Sequence, residues 1–547
     1  MKAGEVVFQQ LLDGKIQYRV PLFQRTYSWE EENWQRLWDD LLDIYDLPQP
    51  RSHFIGAVVT LPIPDSPEKC SKFMLIDGQQ RLTTLFALLA AIRDLAKNNG
   101  DQALATEIQE DCLINRFAKD LEEYQKMKPT QADLAAFKAI VDGEACDGAL
   151  IGAARAFFDK VLGQGDLEGK PIDLVKMKSC VTDYLNLVSI RLDQDDSPHR
   201  IFESLNNAGM PLTASDLIRN YIFMSIPGEQ EQEISYNRYW YPMQQRMEKE
   251  LSPFVWRYLM KDGNLLRYDD VYEEMREFMD TGEKTIVQVL EDLNQYSQYY
   301  TKFWRPNPHE GNPIVRVQLE RLNQWEVDVA YPFLLTAMHK RATGVISDEQ
   351  LLEVLQMIES YVVRRSICGI PTNRLRRIFA LMSNHVSDDG FVESCKDYLI
   401  ESEWPTNDRF HKMFQTARIY VRSRLARARL ILASLEESFE HHEPIKMTGE
   451  ITIEHIMPQT LDDEWRHELG PEFYRIHEEL LHTIGNLTFS GYNQEMGNEP
   501  FEYKKQILAE SHFELNRSIV LAKRWTEREI RDHAKAMADR AIQIWRR

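Results

Sequence analysis

Strand-like patterning in this chain is confined to its two ends. From about 230 to 435, apolar residues recur at helical spacing almost without interruption. No internal repeat and no low-complexity tract divides that stretch. The pattern points to an α+β chain that is predominantly helical. At 547 residues it is too long for one hydrophobic core, and three or four units are expected.

Near the N-terminus, 53–61 (HFIGAVVTL) and 72–76 (KFMLI) read as strands joined by a polar, proline-containing connection. Ser28, with Glu31 three residues on, predicts a capping box for a helix over 30–45. Asp77-Gly78 then turns the chain into a helix whose apolar face runs through Leu82, Leu85, Phe86, Leu89, Ile92 and Leu95, with a stop at Asn98-Asn99-Gly100. A third strand is expected at 187–192. Thr213 and Asp216 form a second capping pattern, opening a helix over 217–224. Residues 101–180 are mostly helical in pattern.

The turn at 77–84 (DGQQRLTT) has the makings of a phosphate seat. Gly78 tolerates backbone angles that other residues resist. A helix N-terminus offers free N–H groups and a positive dipole end. Arg81 adds a planar donor fork, and Thr83 and Thr84 add hydroxyls. The P-loop pattern is absent. A plain Asp-Gly turn is the simpler alternative.

Beyond a polar stretch at 436–449, the best candidate linker, three pieces fall close together: Glu454-His455, Gly485-Asn486 and Asn493. A neutral histidine can take a proton from water near pH 7. A hard divalent cation prefers oxygen ligands, which Glu454 and the Asn493 side chain can supply. Such a set suits phosphodiester hydrolysis. Residues 451–456 alternate as a strand ended by Pro458, and 481–489 would return. Neighbours on a strand point to opposite faces, so Glu454 and His455 share a site only if the strand bends or ends there. The plainer alternatives are a hydrogen-bonded His–Glu pair and a turn asparagine.

Composition adds constraints. An apolar share of 43% describes a globular chain. The six scattered cysteines contain no C-x-x-C pair, which points to free thiols and a cytoplasmic location. Residues 1–14 lack the pattern of a signal peptide, and no apolar run is long enough to cross a membrane, so no membrane partner is expected. The net charge of −21 runs against nucleic-acid binding, but 361–380 carries five arginines and no acid, and 409–429 carries seven Lys or Arg and no acid. Solvated helix faces explain such runs equally well.

Taken in order, YRVPLFQRTYSW, HFIGAVV, LIDGQQRLTTL and IFESLNNAGMPLTASDLIRNYIF resemble the N-terminal domain of GmrSD-type type IV restriction endonucleases. IEHIMPQ followed by HTIGNLTFSGYNQEMGN resembles the HNH or His-Me finger nuclease module at the C-terminus of the same family, and YVVRRSICGIPTN resembles its middle helical region. The resemblance implies a ParB/sulfiredoxin-like α/β domain over 1–228, a helical region over 229–436, and a ββα-metal (HNH) nuclease module with C-terminal helices over 437–547. It implies a nucleotide site formed by Asp77, Gly78, Gln79, Gln80, Arg81 and Thr83, approached by Gln24 and Arg25, with Asn206, Asp216 and Asn220 as weaker candidates. Asp216 has a sufficient role as a capping residue. In the nuclease module the resemblance makes His455 the general base, Glu454 the acidic metal ligand, Asn486 the asparagine that orients the base and its loop, and Asn493 the second metal ligand, with Asn498 competing for that role. Many related nucleases carry Asp where Glu454 stands.

What the resemblance implies is an endonuclease of anti-phage defence that cuts modified foreign double-stranded DNA, with Mg2+ or Mn2+ at the nuclease site. A nucleoside triphosphate regulates it, and GTP, UTP, ATP and CTP are not distinguished; a homo-oligomer is compatible. Two alternatives stay open. One is a nucleotide-switched DNA sensor with an idle nuclease. The other is a toxin-like nuclease acting on host nucleic acid.

Overall fold

The β-branched run at 53–61 forms the central strand of a six-stranded mixed sheet. This strand, β3 (His53–Ile63), pairs antiparallel with β4 (Ser71–Asp77) and parallel with β6 (Leu185–Arg191). Outside β6 lies β1 (Lys2–Val7), antiparallel; beside β4 lie β2 (Ile16–Arg19) and then β5 (Met127–Lys128), both parallel. The order is β1-β6-β3-β4-β2-β5. The computed structural model describes residues 2–21, 23–63, 70–118, 120–130, 132–146, 148–166, 169–193, 213–305, 310–439, 451–491 and 493–547, without the side chains of 229, 493 and 494.

Helix Gln79–Asn98 follows β4 directly. Its Leu82, Leu85, Phe86, Leu88, Leu89, Ala90, Ala91 and Ile92 are all buried, so this is a core helix apolar on every side. Phe86 meets the Phe137 ring at 5.7 Å between centroids, and Ala154 and Phe158 of helix Leu150–Gln164 belong to the same core. On a second, smaller cluster, Val59, Ile76 and Leu192 pack with Leu217 and Met224 of helix Ala214–Ser225. That helix opens with the expected box: Thr213 Oγ1 accepts from the Asp216 N–H at 3.2 Å, and Asp216 Oδ2 accepts from the Thr213 N–H.

Two expectations change. The helix at Glu31–Asp46 is not capped by Ser28; Asn33 Oδ1 accepts from the Glu30 N–H at 3.1 Å. Ser28 lies two residues before the N-cap, Glu30, and its N–H donates to Gln80 Oε1 at 2.9 Å. The strand β1 gave no sequence signal, because an edge strand with mostly exposed residues has no buried face to impose alternation.

The chain divides into two compact units: Met1–Pro242 with Tyr272–Leu290, and Met243–Val271 with Glu291–Arg547. The helical stretch after 290 and the C-terminal module therefore belong to one unit. Inside that unit the Glu359 carboxylate, itself buried, accepts hydrogen bonds from Gln318, Arg321, Trp325 and Trp545. Burial alone would push this carboxyl up, but the Arg321 guanidinium and the other donors hold it below its ordinary value.

Arg364 is likewise enclosed, donating to the carbonyls of Trp545 and Pro405 and to Asn407 Oδ1. Arg365 donates to the carbonyls of Ser402 and Glu403. These two arginines of the 361–380 run serve packing, and only Arg374, Arg376 and Arg377 are exposed. All six cysteines are free. Among the described residues no helix is long and apolar enough to cross a membrane.

Candidate active site

The C-terminal module is built on a two-stranded antiparallel ribbon, β7 (Thr452–His455) and β8 (Leu487–Ser490), with Glu454 opposite Thr488 and His455 opposite Leu487. The strand ends at His455, and this resolves the problem of neighbouring side chains. Glu454 and His455 both line one cleft of about 580 Å3, together with Tyr420, Leu425, Ala426, Arg429, Gln459 and Asn498. Arg429 Nη1 donates to the Ile451 carbonyl at 2.7 Å, which ties the start of β7 to helix Leu425–Glu437.

His455 is almost fully buried at 4% exposure. Its Nε2 lies 3.2 Å from His482 Nδ1. The Tyr420 ring stacks on His482 at 5.6 Å and meets His455 edge-on at 4.5 Å. The N–H groups of Ile419 and Tyr420 both donate to the His482 carbonyl, which fixes this aromatic group by its backbone. Burial first, then the neighbouring His482, Lys504 and His477, push the His455 imidazolium down to about 3. Burial thus favours the neutral ring, whose free nitrogen lone pair is available to a proton, while making the ring a weaker base than an exposed imidazole.

Glu454 is held by an ammonium. Lys504 Nζ lies 2.7 Å from Glu454 Oε1 and 2.9 Å from the His455 carbonyl oxygen. Burial pushes the Glu454 carboxyl up and the Lys504 ammonium down, and each is partly restored by the other's charge.

Asn486 sits beneath the cleft rather than in it. Its Oδ1 accepts from the Met457 N–H at 2.7 Å and from Trp525 Nε1 at 3.2 Å, and its Nδ2 donates to the carbonyls of Met457 and Leu481. It holds the chain just after His455, and none of these hydrogen bonds goes to the His455 ring. Gly485 beside it is required by packing: a Cβ there would stand 2.3 Å from the Ile530 carbonyl oxygen of helix Glu527–Ile544. Asn493 opens the short helix Asn493–Met496, but its side chain lies outside the described residues. Asn498 is exposed and lines the cleft.

Three residues were not anticipated. His482 stands within the quoted HTIGN string yet carries no pattern of its own. Lys504 had a signal: it falls with Phe501 and Leu508 on the buried stripe of its helix, where a lysine has no reason to be unless it is paired. Tyr420 comes from a distant segment and could be found only by folding.

At the N-terminal turn, Gly78 caps the helix at φ +94°, and a Cβ there would crowd Val58 and the Ala57 carbonyl. Asp77 ends β4. Gln79 Nε2 donates to the Arg25 carbonyl and Gln80 Nε2 to the Thr26 carbonyl, so both glutamines clasp the preceding loop. Gln24 Nε2 donates to the Ile76 carbonyl. Arg81 reaches the Ala57 carbonyl and fills the space that a side chain at Gly56 would need. Arg25 is half-buried; burial lowers its guanidinium, and Asp216 and Asp77 oppose that.

Thr83 is buried, with its Oγ1 4.0 Å from the Met127 sulfur. Gln79 Oε1 and Asn220 Oδ1 are buried with no hydrogen-bond partner among the described residues. Asp216 bonds Arg219 at 2.7 Å besides its capping role. Asn206 lies outside the described residues, as does 440–449 of the expected linker.

Residues 8–223 match the family model described as the GmrSD restriction endonuclease N-terminal domain. Residues 404–540 match the model of the GmrSD restriction endonuclease C-terminal domain, and that segment holds Tyr420, Glu454, His455, His482, Asn486 and Lys504. No curated protein matches the chain.

The hydrogen bonds of Asn486 lead to a stability prediction. Asn486→Ala would strand buried groups on Met457, Leu481 and Trp525, and is expected to destabilise the second unit by about 3 kcal/mol in urea unfolding. A loss below about 1 kcal/mol would show that other contacts hold the loop.

Proposed function

Because the chain belongs to the GmrSD restriction endonuclease family, we propose that it hydrolyses DNA phosphodiesters in the His455 cleft and does so under the control of a nucleoside triphosphate bound by its first unit. The observation that carries this reading is the neutral, enclosed imidazole of His455 at the end of β7, beside the Glu454 carboxylate and open to a cleft. In that state His455 takes a proton from the attacking water. His482 and Tyr420 hold its ring, and Asn486 holds the backbone behind it.

Magnesium or manganese is the cofactor this chemistry uses. Glu454, with Asn493 or Asn498, would hold it. No group of three or more His, Cys, Asp or Glu suited to a metal occurs among the described residues. A single carboxylate with an amide does fit magnesium, which keeps several waters and takes substrate phosphate oxygens as ligands. When bound, the ion would neutralise the phosphate and the leaving oxygen.

The partner is double-stranded DNA, which the family implies, and the substrate of a type IV enzyme is modified foreign DNA such as that of phage. Local charge supports a polyanion despite the net −21. Arg418, Arg422 and Arg424 are exposed, flank the cleft residues Tyr420 and Leu425, and have no carboxylate partner among the described residues. In the first unit, the free N–H groups at Gly78 to Gln80, with Arg25 and Arg81, suit a triphosphate. The ParB/sulfiredoxin-like and HNH readings of the two modules belong to this same proposal.

One observation favours a second reading, a nucleotide-switched DNA sensor with an idle nuclease. The Glu454 carboxylate is already satisfied by Lys504. Calorimetry separates the two: a magnesium or manganese site that depends on Glu454 belongs to the nuclease.

Three outcomes are expected. With Mg2+ and each nucleoside triphosphate, on a panel of plain and modified duplexes, His455→Ala should cleave about 10²–10⁴-fold more slowly than wild type. Equal cleavage by both would sink the general-base role. Changing Arg418, Arg422 and Arg424 together to Ala should lower the dependence of log affinity on log salt by about 1–3, read by fluorescence anisotropy; an unchanged slope puts the DNA elsewhere. Arg81→Ala should abolish nucleotide turnover in a chain with wild-type circular dichroism, and unchanged hydrolysis in the folded variant refutes the site.

A further inference from the structure

Lys504 is the most deeply buried ammonium near the cleft. Its side chain has 0% exposure, and it points from the apolar stripe of helix Phe501–Ala509 to Glu454 and the His455 carbonyl. Burying such a charge is costly, so its partner matters. That partner, Glu454, is the only acid lining the cleft among the described residues, and the other charged lining residue is Arg429.

Wherever the shared proton lies, Glu454 and Lys504 together carry no net charge. Among the residues that line the cleft there is therefore one carboxylate of the right kind for a hard cation, already matched by the Lys504 ammonium and faced by Arg429, and no net negative charge to attract an ion. A divalent ion seated on Glu454 would also stand within a few ångströms of the Lys504 ammonium, a like charge in a poorly screened place.

We propose that Lys504 makes the metal site dependent on substrate: its charge keeps a divalent cation off Glu454 until a nucleic-acid phosphate enters the cleft and supplies the missing negative charge. This rests on the reading of the cleft as a metal-dependent nuclease. Lys504 is a positioning residue, acting through Glu454. The device confines the metal-loaded state to the complex with nucleic acid. By linkage, whatever factor the duplex adds to metal affinity, the metal adds to duplex affinity.

The test measures Mn2+ binding by calorimetry to the full chain carrying His455→Ala, which slows cutting of a duplex by about 10²–10⁴-fold. A short plain duplex at low salt is present or absent. The duplex should tighten Mn2+ binding by about tenfold or more. Adding Lys504→Gln, which keeps a donor to Glu454 but removes the charge, or Lys504→Met should tighten Mn2+ binding without duplex by about tenfold and shrink the gain from duplex. Mn2+ alone should then raise the melting temperature of these variants more than that of their parent.

Variants that bind Mn2+ no more tightly than their parent overturn the role of Lys504. A parent that binds Mn2+ equally with and without duplex overturns the dependence itself, and this comparison decides even where neither variant folds. A parent that binds no Mn2+ in either condition overturns the metal-nuclease reading as well. Tight Mn2+ binding without duplex, alongside His455-dependent cleavage in wild type, overturns only the gating.

Discussion

The buried amide of Asn486 is the joint on which the C-terminal site depends. With two acceptor and two donor contacts it binds both polar groups of Met457, the Leu481 carbonyl and the Trp525 indole. Met457 is two residues past His455, so this amide sets the path by which the chain leaves β7. Leu481 adjoins His482, so the same amide registers the second histidine against the first. A side chain with every hydrogen bond made inside an apolar setting has one stable orientation, and the groups it holds inherit that rigidity. Gly485 lets helix Glu527–Ile544 close over this joint.

Around that joint the protein spends polar residues on burial. His455 and His533 are both kept neutral by desolvation, with His533 pushed down to about 4. Glu454 and Lys504 face each other in the same setting, and Glu359 gathers four donor side chains elsewhere in the unit. Each of these arrangements avoids an unpaired buried charge, which would be strongly unfavourable in such a place. In the first unit the glutamines of the Asp77 turn do comparable work, clasping residues 25–28 against the helix N-terminus.

Much of this was legible beforehand. β3, β4 and β6, helix Gln79–Asn98 and the Thr213–Asp216 box lie where alternation, periodicity and capping chemistry put them. His455 and Glu454 were found by residue type and motif order, and the cleft brings them together. Other features were illegible for identifiable reasons. Ser28 has the chemistry of a cap, but the helix starts further on, with Glu30 at its N-cap, and the Ser28 N–H donates to Gln80 Oε1. Thr83 shares the turn in sequence, but the fold buries it against the sulfur of Met127, a residue more than forty positions away. The arginines at 364, 365, 418, 422 and 424 look alike in the chain, yet the first two are sealed in carbonyl contacts and the last three are exposed.

By itself the sequence determined the elements and the chemical cast at His455: spacing, turn residues and motif order are local, and local rules read them. What only the tertiary structure decided is the state of those residues. That His455 is neutral, that Glu454 is matched by an ammonium, and that His482 and Tyr420 complete the group all depend on segments tens of residues away in the chain. Desolvation and charge pairing are sums over everything nearby in space, and no window along the chain contains them.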